Sequence, residues 1–107
     1  MTARLKVPGE GFYYHYKHDL RGSFNNYAYE VMGVGHHTEK EGTYFVVYRP
    51  LYESASVYKN GKMFDIRPLS LFMEEVEKKG VRTPRFEKIE DSGLRAKLKR
   101  LRNEMYP

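Results

Sequence analysis

Two short stretches of the chain place histidine beside aromatic and charged residues, the side-chain types that bind anions and transfer protons. The first, Tyr13 to Lys17, surrounds His15, and the second, His36 to Glu39, holds two adjacent histidines and a carboxylate. Imidazole donates and accepts hydrogen bonds, and it can act with a carboxylate as an acid and base pair. The sequence has no nucleophile elbow and no phosphate loop of the G-x-x-x-x-G-K-[ST] type. These stretches therefore indicate a binding site more than a recognisable catalytic motif.

The preferred hypothesis brings both stretches to one site. We expect His15, His37 and Glu39 to converge at one mouth of a curled sheet. One or both of Arg49 and Arg67 would join them, because the guanidinium offers a planar fork that matches a carboxylate or a phosphate. The site would then bind a small anionic or hydrogen-bonding ligand.

Other interpretations of the same residues stay open. The histidines could simply bond to main chain at a bend while the arginines pair with Asp65 or Glu30, since buried polar groups are usually satisfied in this way. A zinc or iron site is a further alternative, because imidazole and carboxylate suit both metals. Adjacent His36 and His37 would point to opposite faces of an extended strand, so that only one could join His15. We therefore predict no metal and no cofactor.

The composition bounds the class of protein. A chain of 107 residues fits one domain, 1–107, and its net charge of +5 mildly favours an anionic small molecule or nucleic acid as partner. The absence of cysteine makes a cytoplasmic location the expectation. No apolar run approaches the roughly 20 residues that cross a bilayer, and Met1 to Gly9 has no signal-like apolar segment, so we expect no membrane association.

Extended segments are predicted from β-favouring residues bounded by turn signals. Gly33 and Gly35 fall on the same face of the second segment, which predicts a bulge or a bend. Asn60-Gly61 is the strongest hairpin signal, because both central positions of a type I′ turn need positive φ. Alternation after this turn predicts that Phe64 and Ile66 face inward, with Arg67 outward. The predicted strands cover 12–17, 27–37, 43–49, 56–59 and 62–67, with 43–49 central.

Helical spacing appears twice after residue 68. Leu69, Phe72 and Val76 stand at i, i+3 and i+7, which predicts a helix over 69–79 that Gly80 closes. The region 87–107 predicts a basic amphipathic helix, capped by Asp91 or by the serine after it. Its apolar stripe consists of Leu94, Leu98, Leu101 and Met105. The fold class predicted is α+β: a small curled antiparallel β-sheet forming an SH3-like barrel, with a β-rich core over 8–86 and two C-terminal helices.

The tyrosines and the terminal helix each allow a functional and a structural interpretation. The chain has ten tyrosines and no tryptophan, and exposed tyrosines beside basic side chains stack on the bases of single strands. Aromatic bodies with polar tips suit a thin core equally well. The basic helix could lie on phosphates or on a partner protein, or it could bury its leucine stripe against the sheet.

A string of short motifs resembles a bacterial family known only as domain of unknown function 1653. The matching motifs are Tyr14-His15-Tyr16-Lys17, His37-Thr38-Glu39, Val46-Val47-Tyr48-Arg49, Arg67-Pro68-Leu69 and Pro84-Arg85-Phe86, in the family's order over residues 8–86. His18 stands where the family usually has glycine, and Phe64-Asp65 where it often has tryptophan. The resemblance implies a compact β-rich domain and no assigned activity. Carried over by position, it implies eight polar site residues: His15, Lys17, His37, Thr38, Glu39, Arg49, Arg67 and Arg85.

The function expected from these observations is a binding module for an anionic small ligand or a nucleic-acid element. One alternative is a small hydrolase or nucleotide-processing enzyme that uses His and Glu as acid and base, with the non-enzymatic interpretation favoured. Another is a structural adaptor that binds a protein partner through its C-terminal helix.

Overall fold

The computed structural model describes residues 5–53 and 63–107, and these ranges form two antiparallel sheets and one long helix. The predicted α+β class is therefore confirmed. In chain order the elements are β1 (Gly11–His15), β2 (Ala28–His36), β3 (Tyr44–Pro50), β4 (Asp65–Pro68), α1 (Leu69–Phe72), β5 (Glu75–Lys78), β6 (Val81–Pro84), β7 (Phe86–Lys88) and α2 (Ser92–Met105).

The larger sheet has five strands in the order β4-β3-β2-β1-β7, and every neighbouring pair is antiparallel. The strand predicted to be central, now β3, lies between β2 and β4 as expected. The register between β2 and β3 shifts between Val31 and Gly33, which confirms the predicted bulge. The edge strands β4 and β7 do not pair with each other in the described ranges, so the closed SH3-like barrel is not confirmed.

The two faces of this sheet bury separate apolar clusters, because side chains alternate between the faces along each strand. On one face, α1 places Phe72 against side chains from four strands. Its buried members are Tyr13, Val31, Val46, Tyr48, Phe72 and Phe86. On the opposite face α2 buries Leu98 completely against Ala28, Leu51 and Ile89. Burial of one leucine side chain of this kind contributes about 1.5–3 kcal/mol.

The terminal helix forms as the sequence predicts. Asp91 is its N-cap, and the Asp91 carboxylate accepts a hydrogen bond of 2.7 Å from the Leu94 N–H. Leu98 and Met105 of the predicted stripe are buried, and Leu94 and Leu101 are half-buried against the same cluster. This helix uses its apolar stripe inside the domain. No helix among the described residues has the length and hydropathy to span a membrane.

The helix predicted over 69–79 is wrong beyond its first turn. The helix α1 ends at Phe72, and Glu75–Lys78 forms a hairpin with Val81–Pro84. Lys79 and Gly80, with φ of 52° and 78°, form the turn, so Gly80 closes a hairpin instead of a helix. Val76 fits either period, and the alternation of Glu75, Val76 and Glu77 is the signal that the helical interpretation overlooked.

The hairpin at Asn60-Gly61 lies outside the described residues, and only its second arm is described. That arm, β4, pairs with β3 so that Arg67 lies opposite Val46 and Asp65 opposite Tyr48. Asp65 and Arg67 therefore share the face of the buried Tyr48, whereas Ile66 is 62% exposed. The predicted inward and outward sets of this strand are reversed, because the register with β3, rather than apolarity, decides which side faces the core.

A buried carboxylate ties α2 to the sheet. Glu30, 7% exposed, receives Nη2 of Arg49 at 2.9 Å and Nη1 of Arg102 at 2.6 Å. The Arg49 guanidinium also lies 4.0 Å from the centre of the Tyr106 ring. One acidic side chain thus joins β2, β3 and α2 with charge-assisted hydrogen bonds.

Replacement of this carboxylate leaves two guanidinium groups facing each other in a poorly solvated place. Glu30→Ala is expected to lower the free energy of unfolding by about 3 kcal/mol, the typical cost of breaking a buried ion pair from one side. Urea unfolding followed by circular dichroism measures the change. The exposed carboxylate of Glu39 provides the control, and Glu39→Ala should stay within about 0.5 kcal/mol of the wild type. Equal stabilities of the two variants would contradict the role assigned to Glu30.

Candidate functional site

One end of the larger sheet gathers most of the aromatic and cationic side chains of the face covered by α1. Strands β1 and β3 end there, and β2, β4 and β7 begin there, because neighbouring strands run in opposite directions. We name this group the His15 cluster. Its members are His15, Tyr27, Tyr29, Tyr48, Tyr52, Asp65, Arg67 and Phe86.

The ring of Phe86 is the centre of this cluster. It stacks on Phe72 at 4.1 Å between ring centres, and it meets the edge of His15 at 5.0 Å. Tyr29 and Tyr48 approach the same ring edge-on, at 5.7 and 5.6 Å. Offset and edge-on contacts of this kind are the favoured aromatic geometries. Phe86 therefore fixes the positions of the polar groups that surround it.

His15 is held as a neutral imidazole. Its Nδ1 accepts a hydrogen bond of 3.2 Å from the backbone N–H of Lys17, so the ring proton of the neutral form lies on Nε2. Burial, the largest cause, and the positive charges of Arg67, Lys17, Arg85 and Lys78 together lower the pKa of His15 to about 4. Four cations therefore lie within electrostatic reach of the ring.

Arg67 lies beside His15 without a carboxylate partner among the described residues. Its Nε donates to the hydroxyl of Tyr48 at 3.1 Å, and its guanidinium carbon lies 5.3 Å from the centre of the Phe86 ring. Asp65, two residues earlier on β4, is close enough for Arg67 to lower its pKa, but burial outweighs this and raises the pKa of the Asp65 carboxyl. The terminal nitrogens of Arg67 stay free of any ion pair within the described ranges.

Tyrosines form the rest of the His15 cluster. The hydroxyls of Tyr29 and Tyr52 share a hydrogen bond, and burial raises the pKa of both groups, so both stay protonated at neutral pH. The Tyr27 ring stacks on His15 at 5.7 Å. Tyr27 has a φ of 53°, in the left-handed region that bulky residues rarely occupy. Strained backbone of this kind concentrates at functional sites, where the surrounding structure holds it in place.

Arg85 stands at the bend before β7, at the border of the cluster. Its Nη2 lies 3.5 Å from a carboxylate oxygen of Glu74, and its backbone carbonyl accepts from the Tyr16 N–H. The Nε of Arg85 is buried and has no hydrogen-bond partner within the described part of the chain. A buried donor in this condition costs about 1–3 kcal/mol.

The expected convergence of His15 with His37 is wrong. His15 lies beside Tyr27, just before β2 begins, whereas His37 follows the last residue of that nine-residue strand. A strand of this length separates the two by roughly 30 Å at about 3.3 Å per residue. The prediction placed both histidines at the same end of the sheet. Because β1 is antiparallel to β2, His15 at the end of β1 lies beside the start of β2, whereas His37 follows the end of β2.

The structure therefore divides the eight predicted site residues among three places. His15, Lys17, Arg67 and Arg85 gather at the His15 cluster. His37 instead accepts at Nδ1 from the N–H of Glu39, at the turn between β2 and β3, where Thr38 and Glu39 are exposed. Arg49 lies on the opposite face of the sheet and pairs with Glu30, as the alternative interpretation had it. Whether any of the eight binds a ligand stays a prediction.

The sequence interpretation missed the aromatic members of the cluster. It took only polar residues from the family motifs, although Tyr48 and Phe86 stand in those same motifs. It also missed Lys78, because this residue lay inside the wrongly predicted helix. Among the described residues no group of three or more histidine, cysteine or acidic side chains is arranged to hold a metal ion.

The depressed pKa of His15 makes folding depend on pH. Since the unfolded chain takes up a proton near pH 6.5 and the folded chain only near 4, stability from His15 is present above pH 6.5 and is lost as pH falls to about 4. The loss from this group amounts to about 3 kcal/mol. His15→Gln is expected to flatten the pH profile of the unfolding free energy in this window, as measured by urea unfolding.

A second histidine variant separates this effect from general acid sensitivity. His36→Gln changes an exposed side chain and should keep the wild-type profile. If His15→Gln retains the full loss of stability between pH 6.5 and 4, burial and the neighbouring cations do not lower the pKa of His15 as described.

Comparison with known proteins agrees with the family motifs found in the sequence. No curated protein and no solved structure matches the chain at a significant level. A family model described as a protein of unknown function, DUF1653, matches residues 11–88 of the 107. That range runs from the start of β1 to the end of β7 and includes every residue of the His15 cluster. The chain therefore belongs to the DUF1653 family.

Proposed function

We propose that this protein is a binding module for an anionic ligand, held at the His15 cluster. The observation that carries the proposal is the state of Arg67. Its guanidinium is positioned by the Tyr48 hydroxyl and by the face of Phe86, and it forms no ion pair with a described carboxylate, although Asp65 lies within electrostatic reach. An arginine fixed in this way is prepared to receive a carboxylate or a phosphate through its two terminal nitrogens.

The surroundings add positive charge on the same side. Lys17, Lys78 and Arg85 lie, with Arg67, within electrostatic reach of the His15 ring. Of these four cations, Arg85 is paired with the Glu74 carboxylate, and the other three form no ion pair with a described carboxylate. Partial exclusion of water strengthens the attraction of these cations for an anion relative to the open surface.

The tyrosine rings of the His15 cluster favour a ligand that carries a planar group beside its charge. Tyr27 and Tyr52 lie 6.0 Å apart between ring centres, and Tyr27 is 39% exposed. Tyrosine rings in such positions stack on planar ligands while their hydroxyls form hydrogen bonds. A phosphorylated or carboxylated ligand with a planar ring suits both halves of the cluster.

The two alternatives from the sequence find less support. Acid and base catalysis at His15 would need a free imidazole nitrogen, whereas Nδ1 is bonded to the Lys17 N–H and Nε2 carries the proton. His37 and Glu39 sit at the far end of the sheet on an exposed turn. An adaptor that binds through α2 would need its apolar stripe, which already packs against the sheet.

Replacement of Arg67 tests the proposal directly. The probes are inorganic phosphate, pyrophosphate and dTMP, each titrated against the purified protein in a thermal unfolding assay. A ligand at ten times its Kd stabilises the native state by about 1.4 kcal/mol, which raises the Tm of a small domain by several degrees. Arg67→Gln is expected to weaken binding at least tenfold, because charge-assisted hydrogen bonds contribute about 1.5–3 kcal/mol.

The control removes the same charge elsewhere. Arg95 is exposed on α2, and Arg95→Gln should leave the thermal shift unchanged. Arg67→Lys keeps the charge but loses the planar fork, so an intermediate affinity is expected. Absence of any shift with all three probes, or equal losses in the Arg67 and Arg95 variants, would reject the proposed site.

A further inference from the structure

A second cationic feature shares Lys17 and Lys78 with the surroundings of His15 and holds two further cations, Arg21 and Lys79, that the function proposed above does not use. It is an open cleft of about 500 Å³ between the loop that follows β1 and the turn of the β5–β6 hairpin, and we name it the lysine cleft. Its lining residues are Lys17, His18, Asp19, Leu20, Arg21, Lys78 and Lys79. Four of these side chains are cationic and one is acidic, so the cleft carries a net positive charge.

The one carboxylate of the cleft does not neutralise the lysines. Asp19 accepts from the backbone N–H of Arg21 at 2.9 Å and from its Nε at 3.3 Å. The hydrogen bonds from Arg21 are the main reason that the pKa of Asp19 is lowered. Asp19 is thus occupied by its own neighbour, and the positive charges of Lys17, Lys78 and Lys79 remain available to a ligand.

The hairpin turn brings two lysines to the cleft at a conformational cost. Lys79 has a φ of 52°, a conformation for which glycine, asparagine and aspartate are preferred in turns of this type. The preceding Lys78 donates from its amino group to the His18 carbonyl at 3.4 Å, which holds the turn against the loop. The loop itself is braced by Asn26, whose side-chain amide donates to the Asp19 carbonyl at 2.9 Å.

The cleft shares two residues with the surroundings of His15. Lys17 and Lys78 line it and also lie within electrostatic reach of His15. The rings of Tyr16, which precedes Lys17 in the chain, and of Tyr27 lie 4.5 and 5.7 Å from the His15 ring. Positive charges that track past exposed rings are the arrangement by which proteins bind single strands, with phosphates on the cations and bases on the rings.

We propose that the lysine cleft and the His15 cluster together bind single-stranded nucleic acid, with Lys17, Lys78 and Lys79 on successive phosphates. This inference rests on the proposed function, because it assigns one phosphate to Arg67. It extends that function by predicting a ligand with several phosphates and stackable bases. An anionic membrane is the less favoured occupant, because Leu20, 92% exposed, is the one strongly exposed apolar side chain among the described residues of the cleft.

The test compares a short strand with its monomer. Fluorescence anisotropy gives the affinity for labelled oligo-dT of about eight nucleotides, a length within the usual site size of single-strand binders. Calorimetry gives the affinity for dTMP. The oligonucleotide is expected to bind at least about tenfold more tightly than dTMP, with a salt dependence that rises by about 0.7 in slope per phosphate contacted.

Paired lysine variants locate the binding surface. Lys78→Gln with Lys79→Gln should remove most of the gain of the oligonucleotide over dTMP, and dTMP binding should weaken much less, because only Lys78 of the pair lies within electrostatic reach of His15. The matched control is Lys6→Gln with Lys40→Gln, which removes the same charge at exposed positions near the opposite end of β2. The control variant is expected to bind the oligonucleotide as the wild type does. Equal losses in both pairs would mean attraction to net charge alone and would overturn the inference.

The remaining outcomes distinguish this inference from the proposed function. If dTMP binds through Arg67 and the oligonucleotide binds no more tightly, the anion site stands and the single-strand assignment is wrong. If neither binds, both are wrong. Tighter binding to a duplex of equal length, or lysine-dependent binding to phosphatidylserine vesicles in preference to the oligonucleotide, would also overturn the assignment.

Discussion

The packing of Phe86 is the interaction on which the candidate site depends. Its ring contacts Phe72 from α1, His15 from β1 and Tyr48 from β3, so one side chain connects three elements distant in sequence. The Arg67 guanidinium rests on the same ring. A small domain buries few side chains, so few of them are available to hold polar groups in place. Here the core residue that closes one face of the sheet also positions the charged groups at its rim.

The two faces of the sheet handle positive charge in opposite ways. On the face of α2, Glu30 accepts from both Arg49 and Arg102, and the charges are largely satisfied within the protein. On the face of α1, Arg67 is paired with a hydroxyl and a ring, and Asp65 nearby has a raised pKa because it is partly buried. Loss of one partner from the first arrangement would destabilise the fold. The second leaves positive potential in a partly desolvated place, where a ligand gains most from it.

Local signals in the sequence predicted the elements that depend on local physics. The cap at Asp91, the leucine stripe of α2 and the bulge near Gly33 all follow from short-range patterns, and the structure contains them. The segment after Phe72 was mispredicted because Val76 satisfies both the helical and the strand period, and only pairing with Thr83 decides between them. Pairing is a long-range property, which residue spacing within one segment does not encode.

The same limit explains the candidate site. The short motif that holds His15 and Lys17 could not show which ends of which strands meet, so His37 was predicted to lie with them although β2 separates His15 from His37. Arg67 was predicted as a site residue for its chemistry while its strand was assigned the wrong face, because register with β3 fixes that face. Sequence thus supplied the kinds of group present, and topology decided which of them meet.

The protonation state of His15 favours recognition over catalysis at this site. A general base must offer a nitrogen lone pair to the substrate, and a general acid must release a proton at the working pH. The Nδ1 lone pair of His15 is taken by the Lys17 N–H, and the surrounding cations make the charged form of the ring unfavourable. An anion among those cations would reduce their effect on the ring and make its protonation easier. A bound anion would therefore change the protonation of the ring. In its neutral form the ring keeps its one proton on Nε2, where it can donate a hydrogen bond.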